Sequence, residues 1–290
     1  MGRKIRSSVS GKVFAAAALL LFCAFPLTGC GAGKGCTVPE TETTETYTRS
    51  TGADAWEKSS SIRFSYDAGS GSLEAKVKRG SIAPGGDGKS CDQYTAEAER
   101  KKDGVRVVLR ETEEKVKIPL FFRLEKEGEG FRAVLAEETE GVSELEMSFD
   151  AQGRPLECRT VWDDAGTPED TSEWFYLNDG DLFCSEYSRE GRFDLVLEKE
   201  KRENDRLTDF SYIDKGPYGG YESPCLAEYD GNGDLVSSSV DWYETLRSET
   251  ELKSRKKVKQ DKRTDYRIMR SILRQCLIET GIITFREAGL

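Results

Sequence analysis

The residue types that carry most protein chemistry are unevenly distributed in this chain. Histidine is absent from all 290 residues, which excludes Ser-His-Asp and Cys-His nucleophile pairs and every metal site built on imidazole. Carboxylates are abundant, with 53 acidic residues, but a glycosidase-like pair is defined by its separation in space. The sequence therefore singles out no pair, and a charged turn is the preferred interpretation of the acidic residues Asp163, Asp164, Glu169, Asp170 and Glu173.

Cysteines offer two open interpretations. No two of them stand in a Cys-x-x-Cys pair, which argues against thioredoxin-like redox chemistry and against a four-cysteine zinc site. In an oxidising compartment they could form disulfides, whereas in a core they would pack as small apolar residues. The six downstream of residue 30 are Cys36, Cys91, Cys158, Cys184, Cys225 and Cys276.

One acidic stretch has a partial resemblance to a calcium loop. Asp230, Asn232 and Asp234 alternate, and Asp241 takes the twelfth place. The glycine expected in sixth place is Leu235, and the twelfth residue is not a bidentate glutamate. A hairpin turn accounts for the same residues, so the sequence predicts neither a metal site nor a cofactor.

The first 29 residues follow the order of a secretory signal. Residues 3–12 are basic without an acidic residue, and an unbroken apolar run occupies 13–25. That run is shorter than the about 20 residues of a transmembrane helix, and Pro26 ends it. The next four residues, Leu27-Thr28-Gly29-Cys30, resemble the lipobox of bacterial lipoproteins. The resemblance implies cleavage between Gly29 and Cys30, lipidation of Cys30, and an extracytoplasmic position on a membrane of the bacterial cell envelope.

Charge limits the partners of the processed chain. Residues 1–29 contain four basic and no acidic residues, so their removal moves the net charge from −10 to −14. This acidity argues against nucleic acid, because nucleic-acid-binding domains carry basic faces. The expected partners are the membrane, through the lipid, and a protein, glycan or lipid ligand that the sequence does not name.

The remainder divides into three parts. Residues 30–55 contain a Gly-rich stretch and a Thr/Glu run, and they read as the lipidated cysteine followed by a flexible tether. The alternative is a β-strand in the Thr run, although such a strand would lack an apolar face. Residues 56–243 alternate apolar and polar positions between Gly/Asp/Asn turns, which predicts an antiparallel β domain. Residues 244–290 form a charged C-terminal segment in which helical spacing predicts an amphipathic helix over 264–280.

Hairpin turns in the β domain share a short motif. Phe149-Asp150-x-x-Gly153-x-x-Leu156 and Tyr229-Asp230-x-x-Gly233-x-Leu235 resemble the YD (Rhs-type) repeat, and Tyr66-Asp67 with Leu73 is a looser copy. The resemblance covers about a third of the chain and implies hairpins in series. The predicted fold class is mainly β: an antiparallel hairpin or meander sheet with a C-terminal amphipathic helix that covers one face of it.

The aromatic residues of the β domain are candidates for a ligand-facing stripe. On alternating positions they are more simply core or cross-strand pairs. The candidates are Trp162, Trp174, Tyr176, Tyr187 and Trp242.

The basic run 253–263 holds seven basic residues and one acidic residue. It could lie against anionic lipid headgroups, but the preferred interpretation is that it complements the acidic body and solvates the helix end.

These observations favour an envelope lipoprotein that acts as a non-catalytic binding or structural module. The first alternative is a carrier of lipid or another apolar ligand, with a curled β-sheet. The second is a carboxylate-dependent hydrolase.

Overall fold

The computed structural model describes most of the chain after residue 35. The described residues are 36–49, 52, 54–80, 91–112, 116–136, 142–162, 170–176, 183–189, 195–203, 206–214, 222–229, 235–243, 246–284 and 287, and for 161–207 the backbone alone is described. The predicted signal peptide, with Gly29 and Cys30, lies outside these residues. No helix among those described is long and apolar enough to cross a membrane.

Sixteen strands and one helix make up the described chain. In chain order they are β1 Cys36–Thr48, β2 Glu57–Asp67, β3 Ser72–Gly80, β4 Cys91–Arg100, β5 Gly104–Glu111, β6 Lys117–Glu127, β7 Gly130–Leu135, β8 Val142–Phe149, β9 Pro155–Trp162, β10 Asp170–Tyr176, β11 Phe183–Arg189, β12 Leu195–Glu203, β13 Arg206–Asp214, β14 Glu222–Tyr229, β15 Leu235–Tyr243, β16 Leu246–Val258 and α1 Gln260–Glu279. The predicted fold class, mainly antiparallel β with a C-terminal helix, is confirmed.

All the strands described belong to one antiparallel sheet. Its order runs from β11 down to β1, continues directly to β16, and then runs down to β12. Two meanders are therefore joined where the first strand pairs with the last. Within each meander, sequential strands are neighbours in the sheet, which is the arrangement that the alternating pattern predicts.

The structure corrects the tether predicted for residues 30–55. Residues 36–48 form β1, which pairs with β16 on one side and with β2 on the other. Its buried positions include Glu42, Thr44 and Thr46. Since these residues are polar, the strand has no apolar alternation, and a search for hydrophobic periodicity passes over it. The sheet also extends beyond the predicted end at 243, because residues 246–258 form β16.

The helix α1 packs on the face of the sheet formed by β1 to β9. It is confirmed as predicted but begins four residues earlier, at Gln260. Burial extends around most of its circumference between Thr264 and Leu277. It ends close to Gly281, whose φ of +69° favours glycine. Its contributions to the shared apolar core are Tyr266, Ile268, Met269, Ile272, Leu273, Cys276 and Leu277.

Aspartates organise the tight turns that precede β3 and β9. Asp67 Oδ1 accepts from the amide of Gly69 at 2.8 Å, and Asp150 Oδ1 accepts from the amides of Gln152 and Arg154, each at 2.9 Å. The hydrogen bonds to Asp67 hold the pKa of that carboxyl below its usual range, with the Ser70 hydroxyl as the largest cause. Each aspartate directly follows a buried aromatic residue. The last core residue of the strand therefore stands next to the first residue of the turn.

The turn at Gly153 also fixes the height of α1 above the sheet. Gly153 has φ +76°, and a Cβ at this position would lie 2.6 Å from the carbonyl oxygen of Thr264. Gly128, in the β6–β7 turn, has φ +59°, but a Cβ added there would meet nothing within 4 Å. The two glycines therefore share the backbone requirement and differ only in contact with the helix.

We expect Gly153→Ala to lower the free energy of unfolding by about 3 kcal/mol, because it combines a left-handed backbone penalty with a steric clash against α1. Gly128→Ala, which carries the backbone penalty alone, should cost about 1 kcal/mol. Urea unfolding of both variants measures the difference. Equal losses in the two variants would contradict the helix position described.

Candidate functional site

The predicted aromatic stripe falls on one face of the sheet. In the β10–β11 register Tyr187 lies opposite Ser172, and in the β9–β10 register Ser172 lies opposite Cys158. Because directly opposed residues share a face and residues two apart in a strand share it too, Trp162, Trp174 and Tyr176 belong to the same face. Cys158 is buried in the core beneath α1. The four aromatic residues therefore occupy positions on the inner face, and their side chains lie outside the described part of the structure.

The fifth candidate, Trp242, is described in full and is buried. Its side chain is 3% exposed, and its indole Nε1 donates to the hydroxyl of Ser248 at 3.2 Å. The hydroxyl of Ser223 donates to the Trp242 carbonyl at 3.0 Å. The indole thus contributes to the interior between β14 and β16 and not to the outer surface.

Hydroxyl groups form a band on the inner face where β16 and β1 meet. Thr44 and Thr250 are opposite each other and share a hydrogen bond of 3.0 Å. Thr46 lies between Ser60 and Ser248 in the register, and all three are buried. Among the described residues, the hydroxyls of Thr46 and Ser60 have no hydrogen-bond partner. The sequence does not indicate this band, because the Thr/Glu run lacks the apolar alternation of a strand.

A buried ion pair connects the helix to β1. Arg270 donates to both carboxylate oxygens of Glu42, with the Nε to Oε2 distance at 2.6 Å. The Glu42 side chain is 2% exposed and that of Arg270 is 14% exposed. The guanidinium also lies 5.9 Å from the ring centroid of Phe64, the residue opposite Glu42 on β2. With α1 in this position on β1, the buried carboxylate and the guanidinium therefore each have a charged partner.

A shallow polar groove of about 360 Å³ lies across β2 to β5 on the outer face. Glu74 and Glu97 stand directly opposite each other within it. Each forms an ion pair, Glu74 with Lys76 and Glu97 with Arg110, both at 3.4 Å. Both carboxylates are about half exposed, and Glu74 pairs within its own strand whereas Glu97 pairs across to β5, so both form ordinary surface ion pairs. The groove can accept a polar group.

Most of the other predicted sites cannot be placed. Of the acidic stretch near 163–173, Asp170 and Glu173 have a described backbone in β10 and the other members lie outside the described residues. The turn of the partial calcium loop at 230–234 lies outside them too. Its last member, Asp241, forms an ion pair with Arg247 at 3.3 Å. Within the described chain no three acidic or cysteine residues are grouped to hold a metal ion.

Four of the described cysteines are buried thiols: Cys36, Cys158, Cys225 and Cys276. Burial raises the pKa of the Cys158 and Cys276 thiols well above the ordinary value, and the nearby carboxylate of Glu279 adds to the effect. A raised pKa keeps both in the unreactive thiol form, so they act as core residues. The side chains of Cys91 and Cys184 lie outside the described residues.

Comparison of the chain with protein families, with curated proteins and with solved structures finds no match.

Proposed function

We propose that this protein is a lipid-anchored protein of the bacterial cell envelope and that its β domain is a non-catalytic binding or structural module. The observation that carries the proposal is the succession of a basic head, an apolar run, Pro26 and the lipobox-like Leu27-Thr28-Gly29-Cys30. In this proposal Cys30 becomes the first residue of the processed chain. Its lipid chains hold the protein at the membrane, since each buried CH₂ contributes about 0.8 kcal/mol and two or more chains anchor far better than one.

One structural feature bears on the anchor and another on the non-catalytic role. The strand β1 begins at Cys36, so the folded domain follows the lipobox almost directly. Glu74 and Glu97 in the outer groove are paired with cations, and the buried carboxylate of Glu42 is held by Arg270. These ion pairs stabilise the fold. A binding module does not need a carboxyl group with a perturbed pKa.

Lipid attachment is tested by Cys30→Ala in the full chain. We expect this variant to appear in the soluble fraction of cells and to lose incorporation of radiolabelled fatty acid, because the thiol that carries the lipid is gone. Cys23→Ala changes the same residue type within the apolar run and leaves the lipobox intact, so it should remain with the membranes. Retention of Cys30→Ala in the membrane fraction would refute the anchor.

A second candidate function is a carrier of a lipid or another apolar ligand. The observation that favours it is the shared inner-face position of Trp162, Trp174, Tyr176 and Tyr187, together with the buried indole of Trp242. On β2 to β9 the helix α1 already occupies this face, so a ligand would have to use the part beyond the helix.

Native mass spectrometry of the mature chain, residues 30–290 with Cys30→Ala, separates the two functions. A carrier purified from the cells that express it is expected to retain a bound lipid and to show its mass above that of the polypeptide, because release from an apolar interior is slow. A single species at the polypeptide mass would exclude the carrier and leave the binding module.

A further inference from the structure

Four lysines lie together at one end of the sheet, around the junction of β16 and α1. Lys256 and Lys257 pair with the first residues of β1, opposite Val38 and Thr37. Lys259 is the residue before the helix, and Lys262 belongs to its first turn. The first three are exposed and the fourth is half-buried. We call Lys256, Lys257, Lys259 and Lys262 the basic rim.

The charge of the basic rim is not neutralised within the described part of the protein. None of the four lysines forms an ion pair with a described residue, whereas Lys253, only three residues before Lys256, pairs with Glu251 at 2.7 Å. Asp261, in the first turn of the helix, accepts a hydrogen bond from the backbone amide of Lys262 at 2.9 Å, so the four lysines and this carboxylate together carry a net charge of +3. The other acidic groups near the rim have other partners. Asp265 pairs with Arg100 at 3.1 Å, and Asp67 accepts hydrogen bonds from Ser70 and Gly69 and feels Lys256 only as a more distant charge.

The start of β1 belongs to the same end of the sheet. Cys36 is opposite Val258, and its thiol donates to the side-chain oxygen of Gln260 at 2.8 Å. The first residue of β1 is thus tied to the first residue of the helix. Only six residue steps separate Cys36 from Cys30, and at about 3.8 Å for each step the chain spans at most about 23 Å. A lipid on Cys30 therefore limits how far the basic rim can be from the membrane.

We propose that the basic rim binds the anionic phospholipid headgroups of the membrane that holds the Cys30 lipid, an inference that rests on the proposed function. Successive side chains of a strand point to opposite faces, so Lys256 and Lys257 place charge on both sides of the strand end. This arrangement suits contact through the end of the sheet. A lipid anchor reinforced by a basic cluster is a two-signal attachment, and it would orient the domain as well as hold it.

The test uses the mature chain, residues 30–290 with Cys30→Ala, so that binding does not depend on the lipid. We expect it to float with vesicles of phosphatidylglycerol and phosphatidylcholine, and not with phosphatidylcholine alone. Each lysine near an anionic surface strengthens binding about fivefold, so replacing all four rim lysines by glutamine should weaken the partition coefficient several hundredfold. High salt should have the same effect, since the Debye length falls to about 3 Å at 1 M.

The matched control removes the same charge elsewhere. Lys58, Lys76, Lys78 and Lys117 are exposed lysines of β2, β3 and β6, and their replacement by glutamine should leave binding within a fewfold of the parent chain. Thermal unfolding of both variants verifies that they fold. Equal binding by the rim and control variants, or no binding of the parent chain to anionic vesicles, would overturn the proposal.

The outcome is independent of the test of lipid attachment. If Cys30 is acylated in cells but the unlipidated chain does not bind anionic vesicles, the proposal for the basic rim is refuted and the proposed lipid anchor is retained. If the chain binds vesicles through the basic rim but Cys30 carries no lipid, the proposed lipid anchor is refuted and the proposal for the basic rim is retained.

Discussion

The pairing of β1 with β16 is the constraint that joins the two halves of the structure. The paired residues run from Cys36 opposite Val258 to Thr48 opposite Leu246. Without them, β1 to β11 and β12 to β16 would form two separate meanders, and α1 would follow a strand at the free edge of the second. The pairing is between distant parts of the sequence, so it forms at a high cost in loop-closure entropy. The Arg270–Glu42 ion pair adds a second connection, because it holds the helix on the strand that closes the sheet.

This constraint also determines how the domain relates to its proposed anchor. A Gly/Thr/Glu tether of about 25 residues would let the domain sample its surroundings at a distance from the lipid. A central strand that begins at Cys36 leaves only residues 31–35 between the lipid and the fold. With the proposed lipid on Cys30, the domain would be held close to the membrane surface, and the lysines of the β16–α1 junction would lie at the same end of the sheet as Cys36.

Local patterns of the sequence predict much of the fold. Alternation around Ile62, Phe64 and Tyr66 predicts β2, the Asp150 turn predicts the β8–β9 hairpin, and the helical spacing from Tyr266 to Leu277 predicts α1. These elements are visible because their buried positions are apolar. β1 is missed because Thr44, Thr46 and Glu42 are buried polar residues, two of them held by a hydroxyl contact and an ion pair, which a hydrophobic pattern does not record.

The candidate sites are less predictable than the fold. Alternation shows that Trp174 and Tyr176 share a face, but only the register with Cys158 assigns that face to the interior. The basic run 253–263 appears as one charged segment, although the structure divides it between the end of β16 and the start of α1. Its position beside Cys36 depends on a pairing of residues far apart in the sequence, and no local pattern contains that information.

Hydrogen exchange followed by mass spectrometry tests the central claim, that the segment after the lipobox is an interior strand. The account predicts that amides in peptides covering residues 36–48 exchange as slowly as those of β3, residues 72–80, because both strands are paired on two sides. Exchange of the 36–48 amides at the rate of an unstructured chain, with β3 still protected, would contradict it.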